Sequence, residues 1–409
     1  MTKGRNISRC NCESQMANTV AYMYMSWRNL DLFVKVRWSQ LLRAGGQHIV
    51  HLSDEKLSKY YAILGTDLCV REGTYTEESS EGNCVCRKGW EGKRCGIPES
   101  IQTTSWFHDP DITRNLQLRK RPRRVIMFIP FTHEFDIFES NVNELNGVVD
   151  VFVIGEQNST LEHFSPLLNK LKNMWLKEHQ NKIVYIPLTE REISDGTFEG
   201  TLVRLGSRLI SDIRPDDIFL VTDSEEILER NSVLFLKLFQ GYPLPIKCQY
   251  KQYLYGFYWK TKGEKPKVCA VTFHVFANGY EYEMSRLREG AILDEDKHFF
   301  KSQGLLLMEW TIPNAGWKCH LCLDVQVIFN KLHDLPELLT PKWLTSSSSN
   351  MLPFIQRLIK FGQDEYLQPV GKGSTLSSDK LPGYILSNRD KFHNLLTNPY
   401  EIMSVHNIV

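Results

Sequence analysis

The chain has 409 residues, of which 42% are hydrophobic and 11% aromatic, enough to bury a substantial core and too apolar for a globally disordered protein. At roughly 100 to 200 residues per domain, that length fits one large domain with a small appendage. Forty-nine basic against forty-eight acidic residues leave a net charge of +1 and no excess to track a phosphate backbone, which excludes nucleic-acid binding as the main task.

Residues 1–65 carry little clean periodicity and read as an irregular N-terminal region. The apolar stretch "VAYMYMSW" is too short for a signal peptide and lacks its flanks, and no run of 18 or more apolar residues occurs. Residues 66–98 are glycine-rich and hold Cys69, Cys84, Cys86 and Cys95 in a segment too small to make a core, so disulfides are the expected staple. A zinc knuckle is the alternative, but the spacing departs from paired C-x-x-C ligands and no histidine lies among the four. Disulfides imply an oxidising compartment, with which the sequons Asn6-Ile7-Ser8 and Asn158-Ser159-Thr160 agree. That compartment without a leader leads us to expect an incomplete N-terminus. "CVCRKGWEGKRC", with Gly89 and Gly92 in its turn and Trp90 as its aromatic, resembles the C-terminal half of an EGF-like module. The resemblance implies pairing of Cys86 with Cys95 and of Cys69 with Cys84. This module offers no strand-end carboxylates, so the chemistry is expected not to need it.

Residues 99–122 form a polar connector that runs into the basic stretch Arg119 to Arg124, read as a solvated linker, with a processing site as the alternative. From residue 123 to about 402 the texture changes. "RVIMFIP", "VVDVFVIGE", "KIVYIP" and "DIFLVTD" are short, nearly continuous apolar runs, as strands covered on both faces should be. Helical patterns separate most of them. In "SPLLNKLKNMWLKEH", Ser165 can cap, Pro166 suits the first turn, and Leu167, Leu168, Leu171, Met174 and Trp175 share a face. A second helix is expected from near Asn231 or Ser232 to Gly241. Alternating strands and helices predict an α/β fold with a mainly parallel sheet. Ligands of such sheets gather beyond the strands' carboxyl ends, which sets Pro130, Glu156 and Asp223 along one rim.

The stretch "FLVTDSEEILER" drives a buried strand into three carboxylates. Asp223-Ser224-Glu225 is a D-x-E arrangement whose oxygens can converge on Mg²⁺ or Mn²⁺, and such an ion can bridge a nucleotide diphosphate. On spacing alone the favoured reading is that Asp223 or Ser224 caps a helix beginning "EEILER". Tyr250, Tyr253, Tyr255, Phe257, Tyr258 and Trp259 can offer rings to sugar faces, although alternation is also what a packed strand shows. Cys248, Cys269, Cys319 and Cys322 allow three full pairings, all open at this stage.

"HEFDIFESNVNEL", "VVDVFVIGEQN", "IRPDDIFLVTDSEEI", "VLFLKL", "YLYGFYWK", "AGWKCHLC" and "FHNLLTNPY" follow one another across residues 123–400. In them the chain resembles glycosyltransferase family 17, the β-1,4-mannosyl-glycoprotein 4-β-N-acetylglucosaminyltransferases, which also carry a cysteine-rich, EGF-like stretch ahead of the catalytic domain. The resemblance implies a GT-A-like nucleotide-sugar fold and a type II membrane enzyme of the Golgi lumen. It further implies UDP-GlcNAc as donor, an N-glycan acceptor on glycoproteins and a divalent metal. Three departures stand out: the family's D-A-D is Asp223-Ser224-Glu225 here, its G-W-H-C is Gly316-Trp317-Lys318-Cys319, and no membrane anchor is seen. Glu156 matches the family's E-S-N glutamate and is a candidate for the nucleotide's ribose or base, and His133, Glu134 and Asp136 stand similarly.

Forming a β-glycoside from an α-linked donor inverts the anomeric carbon, so one in-line displacement with a single carboxylate base suffices. Glu309 is the candidate base, since it follows an apolar run and precedes the Gly-Trp motif; Glu226 is the reserve. The alternative function is a catalytically degenerate, secreted glycan- or protein-binding protein on the same fold.

Overall fold

The structure, a computed structural model, describes residues 49–157, 166–193, 197–294, 296–302, 310–333, 351–370 and 380–400. Ahead of the main sheet, β1 (Tyr61–Leu64) and β2 (Asp67–Val70) pair as a hairpin, and disulfides join Cys69 to Cys84 and Cys86 to Cys95. This stretch belongs to the same compact unit as everything from Val50 onward. Arg230 Nε donates to Glu72 Oε1 at 2.9 Å, and a Cβ on Gly96 would stand 2.5 Å from the ring of Phe239. Glycine is what lets the two backbones approach.

Arg119, Arg123 and Arg124 of the basic run are built into that unit, while Lys120 and Arg121 stay exposed. Arg124 Nε donates to the buried Asp217 Oδ1 at 2.9 Å, Arg123 Nη1 to the Tyr242 hydroxyl at 2.8 Å, and Arg119 pairs with Asp216 and Gln240. Arginine's planar fork fits such buried partners, which composition alone does not disclose.

The apolar runs become β3 (Val125–Phe131), β4 (Val151–Gln157), β5 (Ile183–Leu188) and β6 (Ile218–Val221), interleaved with helices α1 (Phe135–Glu144), α2 (Pro166–Lys172) and α3 (Phe198–Ser207). Val125 to Ile129 and Val151 to Ile154 are fully buried, and the rings of Phe128 and Phe219 pack 5.0 Å apart between neighbouring strands. Each such side chain contributes about 1.5–3 kcal/mol through burial. The chain continues through β7 (Glu226–Leu228), α4 (Arg230–Leu238), β8 (Ile246–Leu254), β9 (Gly256–Lys260), β10 (Lys267–Thr272), α5 (Met284–Glu289), β11 (Trp310–His320), α6 (Val325–His333) and α7 (Met351–Phe361).

One sheet takes the order β7-β11-β8-β10-β6-β3-β4-β5, with β9 beside β8. The pairs β6–β3, β3–β4, β4–β5 and β8–β11 are parallel, whereas β10, β7 and β9 run against their neighbours. Six strands therefore point one way and three the other, so the sheet is mainly parallel, with the antiparallel strands all on the β8 side of β6.

Two local differences from the sequence reading have simple causes. Helix α2 ends at Lys172 because Met174 and Leu176 take left-handed backbone angles (φ 65° and 54°); Ser165 lies outside the described residues. "EIL" within "EEILER" is strand β7, paired with β11, so neither Asp223 nor Ser224 caps a helix. The cap of α4 is instead Glu229, whose carboxylate accepts from Ser232 N at 2.7 Å.

Helices α6 and α7 bury Ile328, Leu332, Ile355, Leu358 and Ile359 against Leu254, Tyr255 and Tyr258. Among the described residues no helix is long and apolar enough to cross a membrane.

Candidate functional site

Strands β3 and β6 lie side by side and parallel, yet the chain goes from β3 outward to β4 and β5 and comes back to place β6 on the other flank. At such a reversal the connections leave in opposite directions and open a crevice beyond the strands' carboxyl ends. Two short segments meet there: Thr132-His133-Glu134 after β3 and Thr222 to Glu225 after β6.

Glu134 is fully buried and surrounded by donors. One carboxylate oxygen accepts from Ser224 Oγ at 2.6 Å, Thr132 Oγ1 at 2.6 Å and its neighbour's His133 N at 3.0 Å, while the other takes Lys331 Nζ at 2.5 Å. Burial pushes the Glu134 carboxyl up, but the Lys331 charge and these donors more than reverse it, so it stays below its usual range.

Lys331, on α6, reaches Glu225 Oε1 as well, at 2.7 Å. His320 Nδ1 lies 3.0 Å from both Glu225 oxygens, and its Nε2 faces Glu365 Oε1 at 3.7 Å. The histidine ends β11 between Cys319 and Cys322, which form a disulfide, and the loop they close takes a left-handed turn at Leu321 (φ 50°). Burial pulls the imidazole down, but the Glu225 and Glu365 carboxylates outweigh it and raise His320 to about 9. Glu225 shows the converse: burial pushes it up, and His320 and Lys331 hold it far below the carboxylate range.

Asp223 and Glu226 turn to the other side of the segment. Asp223 Oδ1 lies 3.2 Å from Arg288 Nη2, and Asp223 N donates to Glu226 Oε2 at 3.0 Å. Arg288 is anchored by donating to Val221 O at 3.0 Å and Val268 O at 2.8 Å, and its Nε stands 3.6 Å from Glu199 Oε1. Burial, with the Asp223 charge behind it, pushes Glu226 well up from its usual value. Burial and Asp223 likewise raise Glu199 against the opposing Arg288. Lys318 pairs across the strands with Glu226 and binds Glu264 Oε2 at 3.0 Å through Nζ.

Asp223 and Glu225 therefore do not converge. A hard divalent cation takes six or more oxygens, of which one or two carboxylates suffice where water and substrate phosphates supply the rest. Both Glu225 oxygens are held by cationic side chains, and no group of three or more His, Cys, Asp or Glu among the described residues is set to hold an ion. Of the two, Asp223 is the more open, with its side chain 28% exposed against 11% for Glu225. The residues present fit a cation at one carboxylate of the pair and not at both.

The remaining candidates fall in several places. Glu156 ends β4 but is buried, accepting from Tyr185 Oη at 2.9 Å and from Leu167 N at 3.2 Å in the first turn of α2. Those bonds tie it to the fold rather than to the open crevice. His133 stands at the crevice beside Glu134. Asp136 sits in the first turn of α1, where Asn394 Nδ2 approaches Oδ2 at 3.4 Å; burial pushes its carboxyl up despite that donor. Glu309 lies outside the described residues. The reserve base, Glu226, is buried beneath Asp223.

Tyr250, Tyr253, Tyr255, Phe257 and Tyr258 are core residues. Cys248 pairs with Cys269, and Cys319 with Cys322. The sequence reading missed Lys331, His320, Arg288 and Glu199. For His320 a signal existed, its place between two cysteines beside a Gly-Trp pair; the others lie on helices whose patterns show only amphipathicity.

An open sheet that gathers charged side chains where its strand order reverses defines an α/β protein with a ligand site at the switch point. The comparisons narrow this: residues 110–303 match the model of glycosyltransferase family 17, and that stretch of the chain is similar to the family. Over 342 residues it is 31% identical to the Homo sapiens protein named β-1,4-mannosyl-glycoprotein 4-β-N-acetylglucosaminyltransferase, covering 78% of this chain and 62% of that one. The Rattus norvegicus protein of the same name is 31% identical over 341 residues, with the same coverage. The chain thus spans less than two thirds of the length of the curated relatives it matches. Among solved structures, a mannosyltransferase from Pyrobaculum calidifontis in complex with GDP-Man and Mn²⁺ shares 13% identity over 69% of this chain and 85% of its own. The TM-score of that match is 0.27.

Proposed function

We propose that the chain transfers GlcNAc from UDP-GlcNAc to the core β-mannose of N-glycans in β-1,4 linkage, with inversion, on a GT-A-like domain spanning residues 123–402. The observation that carries this reading is the 31% identity, over 78% of the chain, to relatives bearing that activity as their name. The crevice beyond β3 and β6 is where the donor would lie, since both segments there come from the matched region.

Asp223 is the carboxylate that would meet a divalent cation, Mn²⁺ or Mg²⁺, and that ion's part would be to neutralise the departing diphosphate. The chain's own residues supply the frame. Arg288 fixes Asp223 from beneath, Ser224 is tied to Glu134, and Lys331 with His320 holds the following residue. His133 at the same rim stays a candidate for the nucleotide. The four disulfides among the described residues support a place in an oxidising compartment, and the Golgi lumen is the one this reading assigns.

The test is to incubate the protein with UDP-GlcNAc, Mn²⁺ and a biantennary N-glycan, and to determine the product's linkage by NMR. A β-1,4-linked GlcNAc on the core mannose is the expected product. Release of UDP with the sugar passing only to water would overturn the assigned acceptor, and no turnover with donor bound would favour a degenerate binding protein.

A further inference from the structure

Ser224 and Glu225 face a chain of charged partners different from that of Asp223 and Glu226. From one end to the other it runs Glu134, Lys331, Glu225, His320 and Glu365, with contacts of 2.5, 2.7, 3.0 and 3.7 Å. These five groups come from five places in the fold: the β3 loop, α6, the segment after β6, the end of β11 and the stretch following α7.

The main chain adds a further tie, Cys319 N donating to Glu225 O at 2.9 Å. His320 cannot easily swing away, because the Cys319–Cys322 disulfide closes a loop of four residues around it. Both oxygens of Glu225 already face cationic side chains, Oε1 both Lys331 and His320 and Oε2 His320, so a metal ion there would meet like charge, and displacing either partner would leave a buried charge uncompensated.

We infer that Glu225 is a positioning residue rather than a cation ligand: through His320 and Lys331 it fixes the segment that presents Asp223 as the single open carboxylate of this stretch. This rests on the proposed transferase reading. The residue acts by where it holds Asp223, so its removal weakens ion binding less than loss of the Asp223 carboxylate itself and tells on turnover through misplaced geometry.

The experiment measures Mn²⁺-linked UDP binding by calorimetry, donor KM and kcat, and melting temperature, for wild type, Asp223→Asn, Glu225→Gln and Glu225→Asp. Asp223→Asn is expected to weaken Mn²⁺-linked UDP binding at least tenfold. Glu225→Gln is expected to shift it less than about threefold while lowering kcat tenfold or more, and Glu225→Asp, one methylene too short to span both partners, is expected to fail to restore kcat. Loss of Mn²⁺-linked binding in Glu225→Gln equal to that in Asp223→Asn would overturn the inference, as would full turnover in Glu225→Asp.

A wild type that binds no Mn²⁺–UDP would sink the transferase reading instead. The inferred network is then judged by a double-mutant melting cycle of Glu225→Gln with His320→Gln. The pair is expected to cost no more than the larger single change. Strict additivity would overturn it.

Discussion

Ser224 Oγ donates to Glu134 Oε2 at 2.6 Å, a contact that joins the ends of β6 and β3 across the switch point. The acceptor is wholly buried and charged, so its donors decide whether the crevice keeps its shape. Ser224→Ala removes one of three donors to that oxygen and is expected to cost about 2 kcal/mol, the scale of a hydrogen bond to a charged group. Urea unfolding measures this directly, and a cost near zero would mean that the contact holds nothing.

Lys331 is the sharper structural case, because it is shared by Glu134 and Glu225. Lys331→Met keeps most of the side chain's bulk but leaves two buried carboxylates without their common cation. The expected loss is about 3–5 kcal/mol, as when one partner of a buried pair is removed. A variant as stable as wild type would show that the pair is not formed in solution.

The cysteine-rich stretch and its connector are expected to be inseparable from the α/β unit, contrary to the simplest reading of their sequence. Trp106 is fully buried with its ring 6.1 Å from Phe235 of α4, and Ile101 is buried nearby. Trp106→Ala should cost about 3–5 kcal/mol. A chain beginning near Arg119 should then fail to give a cooperative melt. A truncated chain that melts like the whole would contradict the packing.

The pH dependence follows from His320. Its folded value, raised to about 9, lies above the ordinary 6.5, so its contribution to stability is complete below about pH 6.5 and is lost as pH rises through 9. The ring is partly exposed, and screening limits the effect to about 1 kcal/mol. The melting difference between wild type and His320→Gln should therefore shrink from pH 6 to pH 10. A difference that grows over that range would reverse the assignment.

Much of the fold was legible because its signals are local. Unbroken runs such as "RVIMFIP" and "DIFLVTD" can satisfy both faces only inside a sheet, and they lie where expected, as β3 and β6. Antiparallel β7 was not legible, since it is three residues long and its acidic start mimics a helical first turn. The site was readable only as a place. That Asp223 lies at a strand end follows from the sequence, but Glu225's partners do not: His320 is 95 residues away and Lys331 is 106. Such contacts depend on how β11 and α6 return to the rim, and no spacing rule encodes that return.

On the proposed reading, Asp223 carries the charge on which sugar transfer depends. Asp223→Asn is isosteric and keeps an oxygen toward Arg288, so the fold should survive, with a melting temperature within a few degrees of wild type. Mn²⁺-dependent transfer from UDP-GlcNAc to a biantennary N-glycan should fall at least a hundredfold, which corresponds to about 3 kcal/mol of lost charge stabilisation. An active wild type with an Asp223→Asn variant within a few fold of it would contradict the account.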